Sequence, residues 1–184
     1  MFIQTEQTPN PATLKFMPGR AVMPAGTASF TDVATAQRSP LAERLFGVAG
    51  VEGVFLGSDF VTVTKGADGD WSLLKPEILG VIMEHFTAGR AILLDQPATG
   101  AAAPAAEDDD IVAQIKELIE TRVRPAVAQD GGDIVFHSFE DGVVYLQMQG
   151  SCSGCPSSTA TLKAGIENML RHYVPEVVEV RPVL

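Results

Sequence analysis

The distribution of apolar and polar positions predicts that the chain begins with short strands. Four runs rich in β-branched and aromatic residues are bounded by glycine, proline and asparagine, as strands usually are. These runs lie at 1–4, 13–16, 53–56 and 60–64. Gly57-Ser58-Asp59 separates the last two runs, and a short polar turn that contains glycine at this place predicts a β-hairpin.

Two helices are predicted in the same half of the chain. Ser39-Pro40 combines an N-cap residue with a proline in the first helical turn, where the N–H that proline lacks is not needed. A second helix is expected to begin at Pro76 and to end near Gly89, because apolar residues recur there at a spacing of four.

The pattern in the second half predicts the element order α-β-β-α-β. The predicted elements are a helix at 109–128, strands at 134–139 and 143–148, a helix from 156, and a strand at 174–180. The glycine turn at 130–133 is expected to end the first helix, and Asp141-Gly142 is a typical hairpin dipeptide. The predicted fold class is therefore α+β, with both helices on one face of a small sheet.

A compositional break separates the two halves. Residues 96–106 contain alanine, two prolines and other small or polar residues, with no large apolar side chain to bury. We therefore expect a small domain at 1–95, a flexible linker at 96–106 and a second small domain at 107–184.

Charge and hydropathy exclude several classes of function. The chain has 13 Lys and Arg residues against 23 Asp and Glu residues, a net charge of −10, so we expect neither nucleic acid nor an anionic membrane as a partner. No apolar run approaches the ~20 residues of a transmembrane helix. Because no signal or transit peptide is visible, a bacterial cytoplasmic location is expected, with a processed organelle-matrix protein as the alternative.

The candidate chemistry lies in Cys152 and Cys155, the two cysteines of the sequence. A Cys-x-x-Cys pair can bind one metal ion or close a short disulfide ring. Gly150 and Gly154 permit positive φ angles and a close approach of the backbone. Because a helix is predicted from Pro156, its N-terminal partial charge is expected to favour the thiolates, in an exposed loop outside the core.

Two cysteines make half of a metal site. A closed zinc site or an iron–sulfur cluster takes about four ligands, and none of the three histidines stands at a metal-ligand spacing from the cysteines. The missing ligands are expected from a second copy of the chain across a two-fold axis. Three functions remain open: an iron–sulfur scaffold or carrier, a thiol–disulfide redox protein, and a structural zinc-bridged dimer. We expect no catalytic residues and no enzyme activity.

Several motifs in order resemble a known family. Asp130-Gly131-Gly132-Asp133, the run Gly150–Ser158, the run Thr161–Glu167 and Val174-Pro175-Glu176-Val177 together resemble the C-terminal domain of NifU, which is the Nfu-type module. The earlier run Gln7–Gly19 is similar to the Nfu N-terminal domain. The two resemblances together take in nearly the whole chain.

The resemblance implies an iron–sulfur cluster scaffold or carrier. It implies that Cys152 and Cys155 of two protomers together hold one [4Fe-4S] cluster, so the loaded protein would be a homodimer. It also implies upstream cluster-assembly proteins and apo iron–sulfur client proteins as partners. Spacing alone does not distinguish iron–sulfur from zinc, or a [4Fe-4S] from a [2Fe-2S] cluster.

Overall fold

The computed structural model describes residues 2–94, 110–152 and 156–183. The chain divides into two compact units, Met1–Ala101 and Ala102–Leu184. Each unit combines helices with an antiparallel or mixed sheet, which confirms the predicted α+β class. The predicted linker at 96–106 lies outside the described residues, so the domain boundaries stay a prediction.

The first unit is built on a five-stranded antiparallel sheet with the strand order β1-β2-β5-β4-β3. Its strands are β1 (Gln4–Gln7), β2 (Thr13–Met17), β3 (Ala28–Phe30), β4 (Val51–Leu56) and β5 (Val61–Lys65). Strands β4 and β5 pair around 57–60, which confirms the predicted hairpin. Apolar side chains of β2, β4 and β5 belong to the core of this unit.

Three helices complete the first unit: α1 (Val33–Ala36), α2 (Pro40–Phe46) and α3 (Trp71–Thr87). The Ser39 hydroxyl accepts a hydrogen bond from the Ala42 N–H at 3.1 Å, with Pro40 at the first helical position, as the sequence predicts. Buried residues of α2 and α3 pack in the same core as the strand residues.

Two predicted boundaries in this unit are wrong. Helix α3 begins at Trp71, because the Asp70 carboxylate accepts from the Ser72 N–H at 2.8 Å and so caps the helix six residues before Pro76. Strand β1 is Gln4–Gln7 and not 1–4, because its polar residues pair in register with β2 at the sheet edge.

The second unit has the predicted order α-β-β-α-β. Its elements are α4 (Asp110–Leu118), a π-helical segment (Ile119–Val123), α5 (Arg124–Gln129), β6 (Gly132–Glu140), β7 (Val143–Gly150), α6 (Pro156–Tyr173) and β8 (Glu179–Val183). Strands β6 and β7 form an antiparallel hairpin through Asp141-Gly142, and β8 pairs parallel to β7 after the α6 crossover. Alternate residues of β7, Val144 and Leu146, are buried in the core of this unit.

The last strand is shorter than predicted and begins later. The segment 174–178 forms a turn, in which Val174 N–H bonds Leu170 O at 2.7 Å and Val178 N–H bonds Gly142 O at 2.7 Å. Val174 and Val177 are buried as anchors of this turn, so their alternating pattern reflects packing and not a strand. Within the described ranges, no helix is long and apolar enough to cross a membrane.

Candidate metal centre

Cys152 lies in a tight turn directly after the last strand of the hairpin. Gly150 ends β7 with φ of 66°, a left-handed conformation that glycine adopts at little cost, as the sequence predicts. The Ser151 hydroxyl donates to the Asp130 carbonyl at 2.5 Å, and the Ser151 N–H bonds the Gly131 carbonyl at 3.3 Å. The cysteine turn is therefore tied to the glycine turn that ends α5.

Cys152 is buried, contrary to the expectation of an exposed loop outside the core. Only 6% of its surface is exposed, and it packs in the same core as Ile134, Leu146 and Ile166. The expectation was wrong because the turn after β7 folds back over the start of β6. Cys155 and Gly154 lie outside the described residues.

The ionisation of Cys152 also differs from the expectation of a favoured thiolate. Burial raises the pKa of the Cys152 thiol to about 11, and the nearby Asp130 and Asp133 carboxylates add to the rise, while a hydrogen bond with Ser151 opposes it. Desolvation by burial is the largest of these effects, and it disfavours the thiolate.

Gly132 leaves the space that the Cys152 side chain occupies. A Cβ atom at residue 132 would lie 2.6 Å from Cys152 Sγ, 2.8 Å from the Gln149 carbonyl oxygen and 3.2 Å from the Cys152 nitrogen. The Asp-Gly-Gly-Asp motif, which the sequence predicts only as a helix stop, therefore also forms one wall of the cysteine site.

A partly buried ion pair lies beside this wall. The Arg124 guanidinium donates from Nε and Nη2 to the two carboxylate oxygens of Asp133, each at 2.8 Å, and from Nη1 to Glu120 at 2.6 Å. Asp133 is 3% exposed and also accepts from the Ile134 N–H at 2.8 Å. These bonds raise the pKa of Arg124 above its ordinary value, mainly through the Asp133 contact.

The sequence reasoning missed Arg124, Asp133 and Ser151. A charged residue directly after two glycines and directly before the apolar run Ile134-Val135-Phe136 was the available signal, because a buried carboxylate needs a partner. Arg124 could not be chosen as that partner from its position alone.

The three histidines lie at different places in the fold. His85 is buried in the first unit, His137 lies on β6 beside Ser138, and His172 ends α6 edge-on to Tyr173. Across 2–94, 110–152 and 156–183, no group of three or more His, Cys, Asp or Glu side chains is arranged to hold a metal ion.

Fold and site together define a class: a small α+β module that presents one member of a Cys-x-x-Cys pair at a strand-to-helix turn. Comparison with protein families agrees with this class. Residues 3–89 match the model described as the scaffold protein Nfu/NifU N-terminal domain, and residues 115–181 match the NifU-like domain. The chain belongs to the Nfu/NifU family of iron–sulfur cluster scaffold proteins.

Similar full-length proteins support the same family. The human mitochondrial protein named NFU1 iron-sulfur cluster scaffold homolog is 52% identical over 185 residues, which take in 100% of this chain and 72% of that protein. The mitochondrial NifU-like protein 4 of Arabidopsis thaliana is 55% identical over 181 residues, or 96% of this chain and 64% of that protein. The chain thus spans about two thirds of the length of these relatives.

Among solved structures, the solution NMR structure of a NifU-like protein from Saccharomyces cerevisiae is 26% identical. The match covers 52% of this chain and 86% of the yeast chain, with a TM-score of 0.47.

The predicted bacterial cytoplasmic location is contradicted, because the human, Arabidopsis and Drosophila relatives are all named as mitochondrial proteins. These names point to an organelle, which was the alternative expectation.

Proposed function

We propose that the protein is an iron–sulfur cluster scaffold or carrier that holds one [4Fe-4S] cluster between two protomers. Cys152 and Cys155 of each protomer would supply the four thiolate ligands. The observation that carries the proposal is the position of Cys152 in a turn held by Ser151 and by the glycine turn at 130–133, in a chain with two cysteines. A cluster with four protein ligands then requires two chains.

The residues around Cys152 fit this cargo. A thiolate is the soft ligand that iron–sulfur clusters prefer. The positive φ of Gly150 and the missing side chain of Gly132 let the backbone lie close to the sulfur. Because the Cys152 thiol packs in the core, binding the cluster requires this turn to move outward. The same packing favours the empty state once the cluster has left, which suits a carrier.

Transfer is proposed to proceed by exchange of ligands and not by enzyme catalysis. A client protein that offers its own thiolates replaces the cysteine pair of one protomer and then that of the other. Upstream assembly proteins supply iron and sulfide, and apo iron–sulfur proteins accept the cluster. The mitochondrial relatives favour an organelle as the place of this exchange.

Anaerobic reconstitution of the full chain tests the proposal. Iron, acid-labile sulfide and visible absorption are measured for the wild-type chain, for Cys152→Ser and for Cys155→Ser. We expect four iron and four sulfide per two wild-type chains and no stable cluster in either cysteine variant. His172→Gln is a matched control, because it removes a potential metal ligand outside the proposed set and should load like the wild type.

Three results would contradict the proposal. Stoichiometric zinc without sulfide would indicate a structural zinc-bridged dimer, and a Cys152–Cys155 disulfide that forms in place of a cluster and persists in the presence of a thiol reductant would indicate a redox protein. Full loading of the doubly substituted chain would show that other residues bind the cluster.

A further inference from the structure

The start of β6 is fixed between a helix and the cysteine turn. On one side, Asp133 forms the two-point ion pair with Arg124 at the beginning of α5. On the other, Asp133 pairs in register with Gln149 and Gly132 pairs with Gly150, at the end of the strand that leads to Cys152. The Arg124–Asp133 ion pair, which we call the clamp, therefore lies one residue from the contact between Gly132 and the cysteine sulfur.

The helix departs from regular α-helical hydrogen bonding directly before Arg124. The Arg124 N–H bonds the carbonyl of Ile119, five residues earlier, so the helix is π-helical up to this point. Pro125 follows and offers no N–H to continue the regular ladder. A π segment changes the direction of the residues that follow it, and such segments are frequent at functional sites. Here it lets Arg124 reach Asp133 and Glu120 together.

We propose that the Arg124–Asp133 clamp is the positioning element of the cysteine site, because it holds Gly132 against Cys152 and so controls how readily the thiol leaves the core. This deepens the proposed function and rests on it, since the motion matters only if Cys152 binds cargo. Arg124 and Asp133 do not themselves bind the cluster.

The test measures access to the thiol without any cluster, in the full chain that also carries Cys155→Ser. Cys152 is then the sole cysteine, and its rate of alkylation by iodoacetamide is measured at one pH. We expect Asp133→Asn and Arg124→Gln each to speed alkylation about tenfold, since hydrogen bonds to charged groups contribute local stability of that order. Arg124→Lys should have an intermediate rate, because it keeps the charge and loses the two-point geometry.

The two variants separate positioning from a simple effect of charge. Through charge alone, Asp133→Asn would favour the thiolate and speed alkylation, whereas Arg124→Gln would leave the Asp133 charge uncompensated and slow it. The clamp predicts that both variants are faster. It also predicts that the double variant is no faster than either single variant, because the two residues act as one unit.

Two controls account for general destabilisation. Ile115→Val removes one buried methylene from α4 in the core of the second unit, and Glu179→Gln disrupts a partly exposed ion-pair group in the same unit. Neither should change alkylation more than about twofold at equal helix content by circular dichroism, well below the tenfold expected of the clamp variants. Rates that change in opposite directions for Asp133→Asn and Arg124→Gln, or that match the controls, would overturn the clamp.

The second arm uses the loaded protein. With both cysteines present, the clamp variants should lose the reconstituted cluster more slowly than the wild type to the same thiol-rich acceptor, because the clamp favours the state in which Cys152 is buried and the site is empty. If alkylation speeds up while no form of the protein takes up a cluster, the proposed function fails and the clamp stands. If loading is normal and alkylation is unchanged, the clamp fails and the proposed function stands.

Discussion

The contact between Gly132 and Cys152 predicts that Gly132→Ala damages the second unit. The new methyl group would lie 2.6 Å from Cys152 Sγ and 2.8 Å from the Gln149 carbonyl oxygen. Gly132 has no positive φ, so the change introduces a steric clash and no strain in its own backbone conformation.

The magnitude follows from what the methyl group meets. The sulfur can rotate away, but the Gln149 oxygen and the Cys152 nitrogen belong to the backbone, so the end of β7 has to shift. Overpacking of this kind costs about 1–3 kcal/mol, and the backbone contacts place the expected loss in the upper half of that range. The Cys152 thiol should also become more accessible, because the turn that buries it is displaced.

The assay is urea unfolding of the full chain, followed by two signals. Trp71 is the one tryptophan and lies in the first unit, so its fluorescence follows that unit, whereas far-UV circular dichroism follows both. We expect Gly132→Ala to lower the transition of the second unit by about 1 M urea, from a slope of about 1–3 kcal/mol per molar. The tryptophan transition should not change.

Gly165→Ala is the matched control. It lies within α6, and beyond the adjacent residues and backbone of the helix itself no described atom would be within 4 Å of a Cβ at this position. Because alanine favours the helix over glycine, this variant should be more stable by about 0.5–1 kcal/mol. A Gly132→Ala protein as stable as the wild type, with unchanged alkylation of Cys152, would refute the proposed wall of the site.

Three further predictions concern the separate units. Burial lowers the pKa of His85, and the positive charges of Arg44 and Arg90 add to the decrease. As the pH falls below ~6.5, His85 gains a proton in the unfolded chain before it does so in the folded chain, so the stability followed by tryptophan fluorescence should be full above that pH and should fall below it. His85→Gln should flatten this dependence, and an equal slope in both proteins would contradict the prediction. Ser39→Ala removes the α2 cap and a 2.5 Å hydrogen bond to the Ile92 carbonyl. It should lower the free energy of unfolding of the first unit by about 1–2 kcal/mol in the same urea assay, and a decrease smaller than the error of the fit would contradict the prediction. A fragment that begins at Glu107 should fold alone and take up a cluster, because the described core residues of the second unit form a cluster of their own. An unfolded fragment by circular dichroism would show that the domain boundary is wrong.

Local signals in the sequence were sufficient where the chemistry is short-range. Ser39-Pro40 predicts the start of α2, and Asp141-Gly142 predicts the hairpin of β6 and β7, because caps and tight turns depend on a few adjacent residues. Pro76 was misleading for the opposite reason. Asp70 caps the helix earlier, and a proline in the second turn removes one backbone bond that the rest of α3 tolerates.

The environment of Cys152 could not be predicted in the same way. Its burial depends on contact with Gly132, twenty residues earlier, and on a clamp between Arg124 and Asp133 that crosses from helix to strand. A Cys-x-x-Cys motif reports which ligands are present, but it does not report whether the thiols are covered. The raised pKa of Cys152 follows from that covering and not from the motif.

The number of clusters per chain tests the central claim most directly. Native mass spectrometry of the anaerobically reconstituted 184-residue chain measures the oligomer and its iron and sulfide content together. The proposed function predicts a dimer that carries one [4Fe-4S] cluster on the two cysteines of each chain, and an apo protein that is largely monomeric because both chains are acidic. An intact cluster on a monomer, without added small thiols, would contradict the account, because ligands other than Cys152 and Cys155 would then complete the site.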